Sequence, residues 1–158
     1  MRATALVLSS LFALAAPPPG SHGLRVLRPC VAPQLQAKVL ASDQGMLHRN
    51  LRIALTNVSS QACAIDGYPA VRLLDAAGNV AISAESFSRT PHEFTIGHGQ
   101  QAVFLLRVAV GDGVLTYPAG AKLAIIPPGD IRPLTLPVAL PAAPRIDVTA
   151  LLPPADVP

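Results

Sequence analysis

The chain has 158 residues, room for one domain and one core. Its 17 prolines exclude long helices, because an interior proline removes a hydrogen bond and clashes with the preceding turn. The formal net charge of +3 comes from 12 basic and 9 acidic residues spaced singly, without the basic stripe and stacking aromatics of a nucleic-acid reader, so no nucleic-acid partner is expected.

Met1-Arg2 and the apolar run from Ala3 to Ala16 read as a secretory signal. The run is too short to cross a bilayer, which takes about 20 residues. Ala13-Leu14-Ala15 offers a small-x-small cleavage site, with a cut after Gly23 as the alternative and an uncleaved anchor as the competing reading. No cysteine stands at the cleavage point, so the exported chain is expected to carry no lipid and no stable membrane span. Residues 1–15 are thus assigned to the signal, 16–29 to a short lead-in, 30–152 to a domain and 153–158 to a tail.

Within the domain, Gln34 to Leu40 alternates, with Leu35, Ala37 and Val39 on one face and Gln34, Gln36 and Lys38 on the other. Ser42-Asp43-Gln44-Gly45 reads as a turn into a strand from about Leu47 to Thr56, making a hairpin. The stretch Leu51 to Asp75 organises the rest: strand, turn, Cys63, the break Gly67-Tyr68-Pro69, then Val71 to Leu74. A second hairpin follows, turning through Asp75-Ala76-Ala77-Gly78-Asn79 to Val80-Ala81-Ile82. Ser83 to Pro91 is polar, a loop or sheet edge.

Glu93 to Ile96 reads as a short strand, Gly97-His98-Gly99 as a tight turn and Gln100 to Val110 as the longest strand. The last has apolar residues on both faces, which places it centrally. Lys122 to Ile126 is a further strand. Prolines at 133, 137, 141 and 144 restrict the following segment to a sheet edge, and Arg145 to Leu151 reads as a closing strand. Eight or nine short strands, with turns every 8 to 12 residues, predict an antiparallel β-sandwich.

Few residues invite chemistry. Cys30 and Cys63 are the only cysteines, and in an exported chain a disulfide is the default over a metal or redox pair. At their separation of 33 residues the chain-entropy model assigns the bridge about 3.7 kcal/mol. Of four histidines, His92 and His98 flank a short strand and are the candidate metal ligands, with His48 as a possible third. No acid or cysteine stands at ligand spacing beside them, so no metal or other cofactor is assigned. There is no nucleophile elbow, phosphate-cradling loop or nominable carboxylate pair, and the expectation is a non-enzymatic chain. Asn57-Val58-Ser59 is a formal glycosylation sequon that also reads simply as a turn. Tyr68-Pro69 admits a cis peptide only as a minority form.

Cys30, Leu55-Thr56-Asn57, Ser60-x-x-Cys63 and Gly67-Tyr68-Pro69-Ala70-Val71-x-Leu73-x-Asp75-x-x-Gly78 together resemble the domain-of-unknown-function 4232 family, secreted or lipid-anchored envelope proteins that are mostly actinobacterial. The resemblance runs from Cys30 to Leu151. It departs at the lead-in, which is only Pro17 to Gly23, and at His98, where the family often has proline. It implies an immunoglobulin-like sandwich of about eight strands with one disulfide, and it implies no activity.

The resulting expectation is a disulfide-stabilised, non-enzymatic binding or structural module, secreted or held at the bacterial cell envelope. It would act as a monomer toward a protein or other envelope component. The alternative is an extracellular or periplasmic metal carrier using His92 and His98. For binding, the loops Asp66 to Pro69, Ser86 to His92 and Gly111 to Pro118 are the first places to look, since loops vary while strands hold their geometry.

Overall fold

The computed structural model describes residues 27–87, 90–110 and 119–157. The segments expected to be a secretory signal and most of a lead-in, His22 and the expected Gly111–Pro118 loop lie outside the described residues.

The described chain is all-β, with two single-turn 3-10 segments at Ala32–Gln34 and Pro154–Asp156. Its strands are β1 (Leu35–Gln44), β2 (His48–Asn57), β3 (Cys63–Ile65), β4 (Ala70–Leu74), β5 (Val80–Ser83), β6 (Glu85–Ser86), β7 (Phe94–Ile96), β8 (Gln101–Ala109), β9 (Lys122–Ile126), β10 (Leu134–Pro137) and β11 (Ile146–Val148). They form a five-stranded sheet in the order β1-β2-β8-β11-β6, a four-stranded sheet β10-β9-β4-β5 and a small β3-β7 sheet.

Period-two patterning sets the register of the larger sheet. Leu51 pairs with Leu106, Ile53 with Phe104 and Leu55 with Ala102, so six apolar side chains share its inner face. Val71, Leu73, Leu123 and Ile125 of the four-stranded sheet join the same buried cluster. Both sheets thus bury their apolar faces in one core of small and branched side chains, with Phe104 fully enclosed.

The predicted hairpins β1–β2 and β4–β5 both form. β8 lies centrally, between β2 and β11. β10, bounded by prolines, is an edge strand pairing only with β9. Three details differ from the sequence expectation. Among the described residues there are eleven strands, because two- and three-residue pieces at β6 and β3 are too short to show a period. β11 is interior and buried throughout, since β6 pairs with its far side in parallel. The Tyr68–Pro69 peptide is trans, the majority form expected for it.

The third difference positions the site. β1 does not stop at Leu40; a bulge between Val39 and Ala41 absorbs Leu40, and pairing resumes to Gln44. Gln36 and Lys38 point away from the core before the bulge. After it Ala41 faces Arg52 and Asp43 faces Asn50, so these two residues are restored to the outer face.

Candidate functional site

The outer face of the five-stranded sheet carries a groove of about 530 Å³. β1 supplies Ala41 and Asp43, β2 supplies His48, Asn50 and Arg52, and β8 supplies Leu105 and Arg107. Phe87, whose N–H donates to the Val148 carbonyl at 2.8 Å, stands at the far side. Thr149 completes the lining where β11 ends: its Oγ1 accepts from the Leu105 N–H at 3.0 Å, and its own N–H returns a bond to the Leu105 carbonyl at 3.0 Å. Nearly all these side chains leave paired strands, so the lining is held by ladders on either side.

Arg107 is the central group. It is half-buried, its Nη2 donates to His48 Nδ1 at 3.4 Å, and its guanidinium carbon lies 5.9 Å from the Phe87 ring centroid. Asp147 faces it across the ladder, but that carboxylate accepts from Arg145 Nε at 2.7 Å. Arg145 also reaches Glu85 at 3.5 Å, and the Asp147 hydrogen bond and charge, with Glu85 adding to them, raise the Arg145 pKa. Asp43 accepts from Asn50 Nδ2 at 3.1 Å. Among the described residues, Arg107 belongs to no ion pair.

The other candidate residues lie elsewhere. Cys30 and Cys63 form a disulfide with an S–S distance of 2.03 Å, joining the segment ahead of β1 to β3. Asn57 is fully buried. Its Nδ2 donates to the carbonyls of Gln61 and Ile96 at 2.8 and 2.9 Å, while its Oδ1 accepts from the Ser59 N–H and Oγ. The sequon asparagine therefore has no free amide to offer once the chain is folded.

His98 is exposed and donates from Nδ1 to the Ser59 carbonyl at 2.9 Å, and His92 is exposed beside Phe94. His48 pairs with Ala109 at one end of β8, and Gln101 marks the other end, next to His98. Eight residue steps from Gln101 to Ala109 separate those ends, roughly 27 Å at about 3.4 Å each, so His48 cannot complete a site with His98. Among the described residues no three histidine, cysteine or acidic side chains gather at metal-binding distance.

Of the suggested binding loops, Asp66 to Pro69 leaves Asp66 exposed but packs inward at Gly67 and Pro69. The Gly67 carbonyl accepts from the Leu151 N–H, Gly67 lies near Pro128, and Pro69 is buried. Residues 88–89 of the second loop lie outside the described residues. The groove itself was missed by loop-centred reasoning. Its signal was the polar series His48-Asn50-Arg52 on alternate positions of β2, with Arg107 on the strand that pairs with it.

A family model described as Domain of unknown function (DUF4232) matches residues 30–151. The chain belongs to the DUF4232 family. The match begins at the first disulfide cysteine and takes in all eleven described strands. It also contains every groove residue. No curated protein and no solved structure matches this DUF4232 chain. No helix among its described residues is long and apolar enough to cross a membrane.

Proposed function

We propose that this DUF4232 chain is an exported, monomeric, non-enzymatic binding module of the bacterial cell envelope, an immunoglobulin-like sandwich that engages its partner through the outer face of the five-stranded sheet. The observation that carries the reading is the groove between Asp43 and Phe87. It is concave, of mixed polarity and within the size range of ligand sites. Its lining is preorganised by strands. The disulfide suits an oxidising compartment, and the leader pattern suits export.

The test has two parts. Export predicts that a tagged chain is found in medium or envelope fractions, with an intact mass lower than the reduced chain by the hydrogens of one disulfide. Partner binding predicts that the secreted protein co-sediments with isolated envelopes, whereas Asn50→Trp, which fills the groove from β2, stays in the supernatant. A cytoplasmic, reduced chain overturns the first part. Equal co-sedimentation of both proteins overturns the second.

A further inference from the structure

We propose that the groove holds an extended acidic segment of a partner polypeptide, with a carboxylate seated on the guanidinium of Arg107; this rests on the binding-module reading above and adds the ligand's chemistry. Three observations lead to it.

The first is the unmatched charge of Arg107. The one carboxylate lining the groove, Asp43, lies on the β1 side accepting from Asn50. The carboxylate opposite Arg107, Asp147, is held by Arg145 at 2.7 Å. Arg107 is left with an imidazole nitrogen and an aromatic face, contacts that orient a guanidinium without neutralising it. Its fork suits two parallel bonds to a carboxylate.

The second is a built seat for His48. A Cβ at Gly45 would come within 2.9 Å of His48 Nε2 and 3.0 Å of Cε1. Glycine at 45 therefore makes room for the imidazole ring, whose Nδ1 faces Arg107.

The third is length. The lining runs from Asp43 on β1 to Phe87 beside β11, across a sheet ordered β1-β2-β8-β11-β6. At about 4.8 Å per strand that is roughly 14 to 19 Å, the span of four to six extended residues and far more than one small anion needs. Leu105 on the floor and Phe87 at the side offer apolar contact between charges.

The experiment titrates the secreted, disulfide-bonded protein with a fluorescein-labelled peptide, acetyl-Gly-Glu-Leu-Glu-Leu-Gly-amide, and with its Glu→Gln counterpart. Amide shifts of Asn50, Leu105 and Arg107 are followed in parallel. The acidic peptide is expected to bind at least about tenfold more tightly than the glutamine peptide. Arg107→Ala should abolish that preference, and Arg107→Lys, which keeps the charge without the fork, should weaken it about fivefold. Gly45→Ala should displace the His48 ring and weaken binding about threefold with unchanged thermal stability. Should Arg107→Ala fail to fold, Arg107→Lys decides.

Equal binding of both peptides, or wild-type binding by both Arg107 variants, overturns the proposal. So does displacement of the acidic peptide by inorganic phosphate at matching affinity, which reveals a simple anion site. The two proposals fail separately. If Asn50→Trp abolishes envelope binding but the acidic peptide is not bound, only the ligand class is wrong. If Asn50→Trp binds envelopes normally, the groove reading itself is wrong.

Discussion

The amide nitrogen of Asn57 lies 3.7 Å from the Sγ of Cys63, and the same nitrogen bonds the carbonyls of Gln61 and Ile96. One buried side chain at the end of β2 thus fastens the turn that carries the second disulfide cysteine, and also β7, which pairs with β3. Among the described residues every buried side-chain nitrogen or oxygen has a partner, and Asn57 meets that condition for several groups at once.

Replacing Asn57 with alanine should therefore cost more than a typical polar truncation. It removes the donor to the buried Ile96 carbonyl, at about 1 to 3 kcal/mol for a buried group left unsatisfied, and also the bonds to the Ser59 N–H and to the exposed Gln61 carbonyl, which keeps the Ser59 hydroxyl. We expect a loss of about 2 to 3 kcal/mol in urea unfolding. Folded protein secreted from a glycosylating host should also carry an unmodified Asn57 by peptide mass mapping. A glycan at Asn57 on fully folded protein would contradict the burial of its amide.

The Cys30–Cys63 bridge closes a loop with a sequence separation of 33. A Cys30→Ser, Cys63→Ser double variant should lose about 3 to 4 kcal/mol, on the model in which the bridge restricts the unfolded chain. For a domain of this size that is a fall of roughly 10 to 15 °C in Tm. Differential scanning calorimetry checks it, and a change below about 3 °C would show that the unfolded chain is already restricted there.

Asp130 ties the segment after β9 to the start of the domain. Its Oδ2 accepts from the Ala32 N–H at 2.7 Å, and its Oδ1 accepts from the Ile131 and Arg132 N–H groups at 2.7 and 3.2 Å. These bonds, that from Ala32 first, lower its pKa from 3.8 to about 2. A carboxylate depressed in the fold stabilises above its unfolded pKa, and that contribution disappears as pH falls through the folded value. Asp130→Asn should thus lower Tm at pH 6, and the gap to wild type should close between about pH 4 and pH 2. A gap constant across that window would mean that the charge contributes nothing.

Phe104 pairs with Ile53 across the central ladder, and both are fully buried. Phe104→Ala should cost about 3 to 5 kcal/mol, and Ile53→Val only about 0.5 to 1.5 kcal/mol. Denaturant titration of both variants gives the comparison. Similar losses would show that the core relaxes around the larger deletion.

What the sequence exposed and what it hid follow from range. Leu51-x-Ile53-x-Leu55 and Ala102-x-Phe104-x-Leu106 announce their inner faces by alternation alone, and Lys122 to Ile126 forms a strand at the predicted boundaries. Leu40 broke the alternation of β1, so Asp43 read as part of a turn when a bulge had carried it onto the groove. Cys63 to Ile65 carry no strand signal because three residues show no period, and their pairing with β7 is a non-local fact. The groove needs the β2–β8 register before His48, Asn50 and Arg107 become neighbours. No local pattern contains that register.

The placement of Cys30 also decides how the domain would carry a mechanical load. The described chain enters through Pro29, bridged to Ala64, and at the next residue is covalently joined to Cys63. Tension arriving from the N-terminal side is handed through that bond to β3 before it can peel β1 from the sheet edge. At the other end Leu152 pairs with Val103, near the start of the central strand, exchanging both backbone hydrogen bonds, at 2.8 and 2.9 Å. Reduction would reroute the tension into β1 and the edge of the groove, so a domain that resists extension when oxidised should unzip at lower force, strand by strand, when reduced.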